Sequence, residues 1–309
     1  MKALVVAPGA PGGVALGEAP DPEPGRGRVV VDVRAVSLNR GEVRGLASSG
    51  EGTVPGWDLA GEVVAGATDG SGPAIGTRVV GMVGSGAWAE RAAVPVTFLA
   101  PLPDEVSFAA ASTLPVAGLT AQRAIAIGDR CADGRVLVTG AAGGVGHFAV
   151  QLAGHLGADV TAVVGRAERG GELERLGASR VAVGMPQTGE FDLVLEAVGG
   201  DSLAAALGMV APGGCIVTYG CASGERTTFD VRDFYRRSGA RLHGLQLFPE
   251  LQRAGPGTAA HDLDALARMV ATGHLEVQIG MEVGWDRVAE AAQALLDRGV
   301  VGKAVLRIE

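Results

Sequence analysis

Val136-Leu-Val-Thr-Gly-Ala-Ala-Gly-Gly-Val-Gly146 is the stretch on which the reading of this chain turns. Val136 to Thr139 form a short apolar run of strand-forming residues. Beyond the glycines, Val145, Phe148, Ala149, Leu152, Ala153 and Leu156 recur at helical spacing, and Gly157 stands where a helix stops. A glycine cluster between a strand and an amphipathic helix is the context in which a dinucleotide fingerprint is credible. Gly143 has no Cβ, so the backbone can come close to a pyrophosphate, and Gly146 lets the helix pack tightly on the strand. The helix N-terminus adds N–H groups and a partial positive charge. Ala141, Ala142, Gly144 and Val145 complete the predicted phosphate loop, with Ala141 in place of the first glycine of the usual pattern. The plainer alternative is a glycine-rich turn with no ligand.

Downstream, strands and helices alternate. Asp159–Val164, Arg180–Val183, Phe191–Leu195 and Gly214–Thr218 read as strands, and Glu168–Leu176 and Asp201–Leu207 as helices. That alternation predicts a parallel, doubly wound sheet of the Rossmann type. Upstream, Val29–Val36, Gly61–Gly66, Arg78–Val83 and Ala87–Val94 are short apolar runs between Gly/Pro turns, as in a compact β-rich domain. At the far end, Asp286 is placed to cap a helix whose Val288, Ala291, Ala292, Leu295 and Leu296 share a face, and Lys303–Ile308 reads as a closing strand. The expected organisation is therefore an α/β chain with a β-rich domain over 1–115 and 274–309 and a nucleotide-binding domain over 116–273.

The strand after the fingerprint predicts which dinucleotide binds. An NAD site places an acidic residue about 20 residues on, against the ribose 2′-OH. Here the sequence is Val163-Val-Gly-Arg-Ala-Glu-Arg169, with no acid at the strand end. Arg166 and Arg169 suit a 2′-phosphate through charge-assisted bonds, which predicts NADPH. Two alternatives stay open: solvated arginines at a helix start, and Glu168 reaching the ribose. Tyr219-Gly220 follows the Gly214–Thr218 run at the carboxyl end of its strand, where open α/β sheets bind ligands, so both residues are assigned to the cofactor site; the alternative for Tyr219 is a plain core residue.

Composition narrows the rest. The chain has 309 residues, enough for two cores, and a formal charge of −8, which disfavours nucleic acid or an anionic membrane as partner. Cys131, Cys215 and Cys221 are an odd set without zinc or disulfide spacing. No signal peptide and no bilayer-length apolar run is read, so a cytoplasmic location is expected.

Several motifs agree in order along the chain. Ala141-Ala-Gly-Gly-Val-Gly146 with Gln151-Leu-Ala153, Pro55-Gly-Trp-Asp-Leu-Ala-Gly61, Leu102–Pro115, Gly118-Leu-Thr-Ala-Gln122 and Gly302-Lys-Ala-Val-Leu306 resemble the medium-chain dehydrogenase/reductase superfamily, most of all its zinc-free quinone oxidoreductases and enoyl reductases. The resemblance implies a GroES-like substrate domain beside the Rossmann domain and an active site in the cleft between them. It also implies a homodimer through the sheet edge at Arg241–Leu247. Zinc-dependent relatives hold the metal through a Cys, a His and a third ligand. The first two positions are Asn39 and Trp57 here, Val116-Ala-Gly118 offers no third ligand, and no four-cysteine loop occurs. No metal is therefore expected.

By the same resemblance Asn39 is the expected catalytic residue, its amide donating to a substrate carbonyl; the other reading is an Asn capping a loop. Thr120 matches a threonine facing the nicotinamide, and Lys303 is placed to reach the cofactor; a helix-bonded threonine and a solvated lysine are the alternatives. Conjugate reduction needs hydride, a hydrogen-bond donor for the developing enolate and a proton, but no Lewis acid. The expected activity is NADPH-dependent reduction of a quinone or of an enone or enoyl substrate. The alternative is a cofactor-binding protein without turnover, as in zeta-crystallin-like structural or RNA-binding relatives.

Overall fold

The computed structural model describes residues 1–129 and 131–308. Contacts divide the chain into two units, Met1–Leu119 with Leu251–Glu309, and Thr120–Glu250.

The Thr120–Glu250 unit is built on six strands. In spatial order they are Arg180–Val183, Asp159–Val164, Arg135–Thr139, Phe191–Glu196, Val210–Thr218 and Arg241–Gly244. Every neighbouring pair is parallel. Numbered along the chain the order is 3-2-1-4-5-6, the doubly wound Rossmann order. Parallel strands covered on both faces need continuous apolar runs rather than alternation. Val136, Leu137 and Val138, then Leu193, Val194 and Leu195, then Cys215, Ile216 and Val217 are accordingly all fully buried. Helix Gly144–His155 packs on the first two strands of the chain order, and helix Gly200–Met209 on the fourth and fifth.

The other unit carries a mixed, GroES-like sheet, antiparallel except for the parallel pair of Ile279–Gly284 with Lys303–Arg307. Its path runs Ile279–Gly284, Lys303–Arg307, Arg28–Leu38, Asp58–Ala65, Arg78–Met82 and Leu99–Pro101, with Arg91–Pro95 also paired to Arg28–Leu38. Lys2–Val6 and Val14–Glu18 form a separate hairpin. Trp88, Leu59, Val31, Leu306 and Ala291 sit in one apolar core. Gly56 is held at φ +108, and a Cβ there would lie 2.3 Å from the Trp88 ring, so the Pro55-Gly turn is shaped around that indole. Residues 251–273, expected with the nucleotide domain, group with this unit, where Leu266 of helix Thr258–Ala271 lies against Gly118.

Local expectations fail where glycine or packing overrides pattern. The predicted helix Glu168–Leu176 is one 3-10 turn, Ala167–Arg169, followed by turns. Gly170 and Gly171 interrupt it, and a Cβ on Gly170 would meet Val181 at 2.7 Å. The predicted strand Ala87–Val94 narrows to Arg91–Pro95, because Trp88 N–H donates to the Pro55 carbonyl instead of to a ladder. Asp286 lies inside a 3-10 turn, and the helix Val288–Leu296 begins after Arg287. The sheet-edge strand stops at Gly244, short of Leu247, which starts a helix.

Gly146 is the tightest point of the nucleotide unit's fingerprint. A Cβ there would lie 2.3 Å from the Gly140 carbonyl oxygen and 2.7 Å from the Ala141 Cα, and both are backbone atoms. Gly146→Ala is expected to cost about 1–3 kcal/mol despite alanine's better helix propensity. The control Gly165→Ala, with open space around it, should stay within about 0.5 kcal/mol of the parent. Urea denaturation midpoints at unchanged m-value provide the comparison; equal midpoints for the two variants would contradict the packing account.

Candidate functional site

In the Thr120–Glu250 unit four loops leave the sheet at the carboxyl ends of its strands. Register pairs Thr139 with Val163 and Glu196 with Thr218, so these strands end together at their carboxyl ends. The loops that leave them are Gly140–Gly143, Gly165–Arg169, Ala197–Gly200 and Tyr219–Ser223. Gly140 has φ +60, and the Gly143 N–H donates back to its carbonyl at 2.9 Å, which closes the turn. Gly143 then caps helix Gly144–His155 with no side chain of its own. The first helical N–H groups, at Gly144, Val145 and Gly146, have no intrahelical acceptor by construction and present a partial positive charge. Ala141 and Ala142, within this loop, are buried.

Glu196 braces this end of the sheet. It is fully buried and accepts from the Val198 N–H at 2.9 Å, the Gly199 N–H at 3.1 Å and the Thr139 hydroxyl at 3.2 Å. The Thr139 oxygen in turn accepts from Ala197 N–H at 2.9 Å. The turn after one strand is thereby tied to the end of the next, and the Ala197 and Val198 carbonyls accept from the Ala222 N–H at 3.0 Å and the Ser223 N–H at 2.8 Å. Gly220 lies against the Ala197 carbonyl, 2.9 Å from where a Cβ would stand. Burial first, and then the Glu196 carboxylate, push the Tyr219 phenol above its ordinary range, so it stays neutral. Arg166 and Glu168 are exposed and Arg169 is half-buried, all three on the turn that follows Val164. Thr120 is buried near the start of helix Leu119–Gly128. Elsewhere in the unit, a cavity of about 540 Å³ lined by Met185, Met209, Arg236 and Arg237 includes none of the residues singled out from the sequence.

The β-rich unit holds the second constellation, around Asp58. Antiparallel register sets Ala304 opposite Leu38, which brings Lys303 beside Asn39, and Ala35 opposite Ala60, which brings Ser37 beside Asp58. Asp58 Oδ2 accepts from the Ser37 hydroxyl at 2.7 Å, the Asn39 amide at 2.8 Å and the Lys303 ammonium at 3.3 Å. Its Oδ1 accepts from the Val116 N–H at 2.9 Å, in the π-helical turn Leu114–Gly118. The Lys303 ammonium also donates to Asn39 Oδ1 at 2.6 Å. Asp58 is 0% and Lys303 2% exposed. A buried ion pair holds only when its remaining hydrogen-bonding capacity is met, and the four donors on Asp58 meet it.

Asn39 is thus both the N-cap of helix Arg40–Gly45 and a member of the cluster. One Nδ2 hydrogen is taken by Asp58; the second has no acceptor among the described residues. The lysine assigned to the cofactor spends its ammonium on Asn39 and Asp58. Trp57, at the other zinc-ligand position, donates its backbone N–H to Glu42 Oε1 at 2.6 Å. No group of three or more His, Cys, Asp or Glu side chains with metal-binding geometry occurs among the described residues. All three cysteines are free thiols.

Glu42, Asp58, Ser37 and Glu196 were not singled out by sequence reasoning. Glu42 carried a signal: Asn39 followed three residues later by Glu is a capping-box pattern. Its Oε2 accepts the Asn39 N–H at 3.1 Å.

Glu42 is 5% exposed, and burial, then the nearby Asp58 carboxylate, push its pKa from the ordinary 4.5 up to about 8, against the pull of the Asn39 and Trp57 N–H donors and the Lys303 ammonium. Between these two values the folded chain keeps a proton that the unfolded chain has lost, so this group makes stability fall as pH rises. Its contribution is complete below about 4.5 and gone above about 8. Glu42→Gln removes the titration, and its stability curve should be flatter across that window than the parent's. Parallel curves for the two proteins, measured by urea denaturation, would contradict the shift.

Residues 25–104 match the alcohol dehydrogenase GroES-like domain, and residues 144–248 match the zinc-binding dehydrogenase model. The chain is 34% identical over 294 residues to a spectinabilin polyketide synthase system protein of Streptomyces orinoci, covering 91% of this chain but spanning only 13% of that protein. It is 30% identical over 308 residues to a probable acrylyl-CoA reductase of Escherichia coli (strain K12), covering 91% of each. A mycobacterial protein whose structure was solved in complex with NADPH superimposes with a TM-score of 0.89 at 26% identity, covering 100% of both chains. Quinone oxidoreductases stand among both the sequence relatives and the structural neighbours. With the 3-2-1-4-5-6 sheet, the glycine loop and the GroES-like sheet in the same order along the chain, these matches show that the chain belongs to the medium-chain dehydrogenase/reductase superfamily.

Proposed function

We propose that this chain is a zinc-independent, NADPH-dependent reductase that delivers hydride to a conjugated carbonyl, either a quinone or an enoyl thioester. The observation that carries the reading is the Asn39 amide. One hydrogen is fixed on Asp58 and the other is unclaimed, in a cluster with no metal-ligand set. The glycine loop supports a dinucleotide: a Cβ at Gly146 would strike the Gly140 and Ala141 backbone, so glycine there lets the helix start close against the loop and the strand, as a pyrophosphate-binding turn requires. Ala141, Ala142, Gly143, Gly144, Val145 and Gly146 would hold the pyrophosphate, Arg166 and Arg169 the 2′-phosphate, and Thr120, Tyr219 and Gly220 the nicotinamide end. When bound, NADPH supplies the hydride. The Asn39 amide donates to the substrate carbonyl oxygen as negative charge develops there, and preorganised donation of this kind stabilises an enolate without a Lewis acid. Exposed Leu242 on the edge strand Arg241–Gly244 favours extending the proposal to a homodimer through that edge.

Asn39→Ala should lower kcat by about 100-fold or more while leaving the KM for NADPH nearly unchanged, as removal of one oxyanion donor does. Turnover equal to the parent, measured with 1,4-benzoquinone and with acrylyl-CoA, would reduce Asn39 to a helix cap.

Cofactor choice tests the arginines. Two charge-assisted bonds to the 2′-phosphate favour NADPH over NADH by about 100-fold before solvent screening. The Arg166→Ala/Arg169→Ala enzyme should lose most of that ratio in kcat/KM and keep its NADH activity. A parent enzyme that prefers NADH would assign the ribose to Glu168.

A further inference from the structure

We propose that Lys303 and Asp58 are positioning residues that lock the Asn39 amide in one of its two flip states, so that its free hydrogen points at the reacting carbonyl. The proposal rests on the reading of Asn39 as the oxyanion donor and adds what holds it there.

The two ends of an asparagine amide are nearly the same size, and nothing in its shape stops a half-turn about the last bond. What differs is hydrogen bonding: Nδ2 only donates and Oδ1 only accepts. The cluster offers one partner of each kind. The Lys303 ammonium only donates and lies 2.6 Å from Oδ1; the Asp58 carboxylate only accepts and lies 2.8 Å from Nδ2. A half-turn would set oxygen against carboxylate and NH2 against ammonium, two repulsive contacts at once. Both partners are buried, so water does not replace the lost bonds.

Each partner is itself fixed. Asp58 is pinned from two other elements, by the Ser37 hydroxyl on Oδ2 and the Val116 N–H on Oδ1. The Lys303 backbone is set by the Ala304–Leu38 register, and its N–H donates to the Gln278 carbonyl at 2.9 Å. Asn39's own backbone is held by Glu42 on its N–H. The side chain therefore has one orientation, and the hydrogen left over has one direction. Asp58 neutralises Lys303, so the arrangement adds no net charge that would repel or trap an anionic product.

The test compares three proteins with the parent: Asn39→Ala, the double variant Lys303→Met/Asp58→Asn, and the triple variant. The double variant removes both charges together and leaves no unpaired buried ion. It should keep the parent's NADPH Kd and substrate KM and lose about 10- to 100-fold in kcat with 1,4-benzoquinone or acrylyl-CoA, the scale of a misplaced catalytic group. The triple variant should be no slower than Asn39→Ala alone, because residues that act through one group are not additive. A double variant with the parent's kcat, or a triple variant slower than Asn39→Ala by the full factor lost in the double, overturns the proposal. If Asn39→Ala itself retains full turnover, the reading of Asn39 fails first and the proposal fails with it. Should the double variant not fold, Lys303→Arg, which only donates, should retain turnover that Lys303→Gln, which also accepts, loses; equal kcat in those two overturns it.

Discussion

A carboxylate with no solvent contact must either be neutralised or be surrounded by donors, and Asp58 is surrounded. Its two oxygens gather the Ser37 hydroxyl, the Asn39 amide, the Lys303 ammonium and the Val116 N–H. These donors come from the end of the Arg28–Leu38 strand, the cap of the helix that follows, the closing strand and the π-helical turn. Removing the acceptor alone would leave a buried ammonium and several unpaired polar groups, which costs far more than any one of the bonds contributes. The convergence of four segments on one point follows from that requirement. Glu42 completes the arrangement from below: its carboxyl spans the Asn39 and Trp57 N–H groups, and its neighbour Asp58 is one reason it resists ionisation.

The nucleotide unit solves a different problem, how to expose backbone donors at a buried sheet edge. Glu196 takes the N–H groups that the turn after its strand would otherwise leave unpaired, and Thr139 links that turn to the glycine loop. The helix starting at Gly144 is capped by glycine rather than by a side chain, so its first N–H groups remain available. In both constellations a buried carboxylate gathers donors from several segments, mostly side chains at Asp58 and mostly backbone N–H groups at Glu196.

Much of this was legible in the sequence, and the exceptions have physical reasons. The strands of the nucleotide unit could be read because a parallel sheet buried on both faces needs unbroken apolar runs such as Val136–Val138. The fingerprint could be read because strand, glycines and helix are contiguous. The helix expected over Glu168–Leu176 was misread because its periodicity continues across Gly170 and Gly171, and only the packing of Gly170 on Val181 shows that the chain turns there. The boundary near residue 273 moved because helix Thr258–Ala271 buries its apolar face, Leu263 and Leu266, with the β-rich unit. The Asp58 cluster was only half visible. Asn39 and Lys303 were each noted, but they are 264 positions apart, and only strand register brings one against the other. Asp58 lay inside the Pro55–Gly61 motif, which carried the family resemblance and gave Asp58 no role of its own.

The central claim is that the chain uses its dinucleotide for hydride transfer to carbon rather than holding it without turnover. NADPH deuterated at the transferable nicotinamide position, supplied with acrylyl-CoA and, in a parallel reaction, with 1,4-benzoquinone, tests this most directly. The account predicts a primary isotope effect on NADPH oxidation with at least one acceptor; with acrylyl-CoA as that acceptor, one deuterium appears in the product at the carbon β to the thioester. Tight NADPH binding without oxidation by either acceptor would contradict it and leave a cofactor-binding protein in its place.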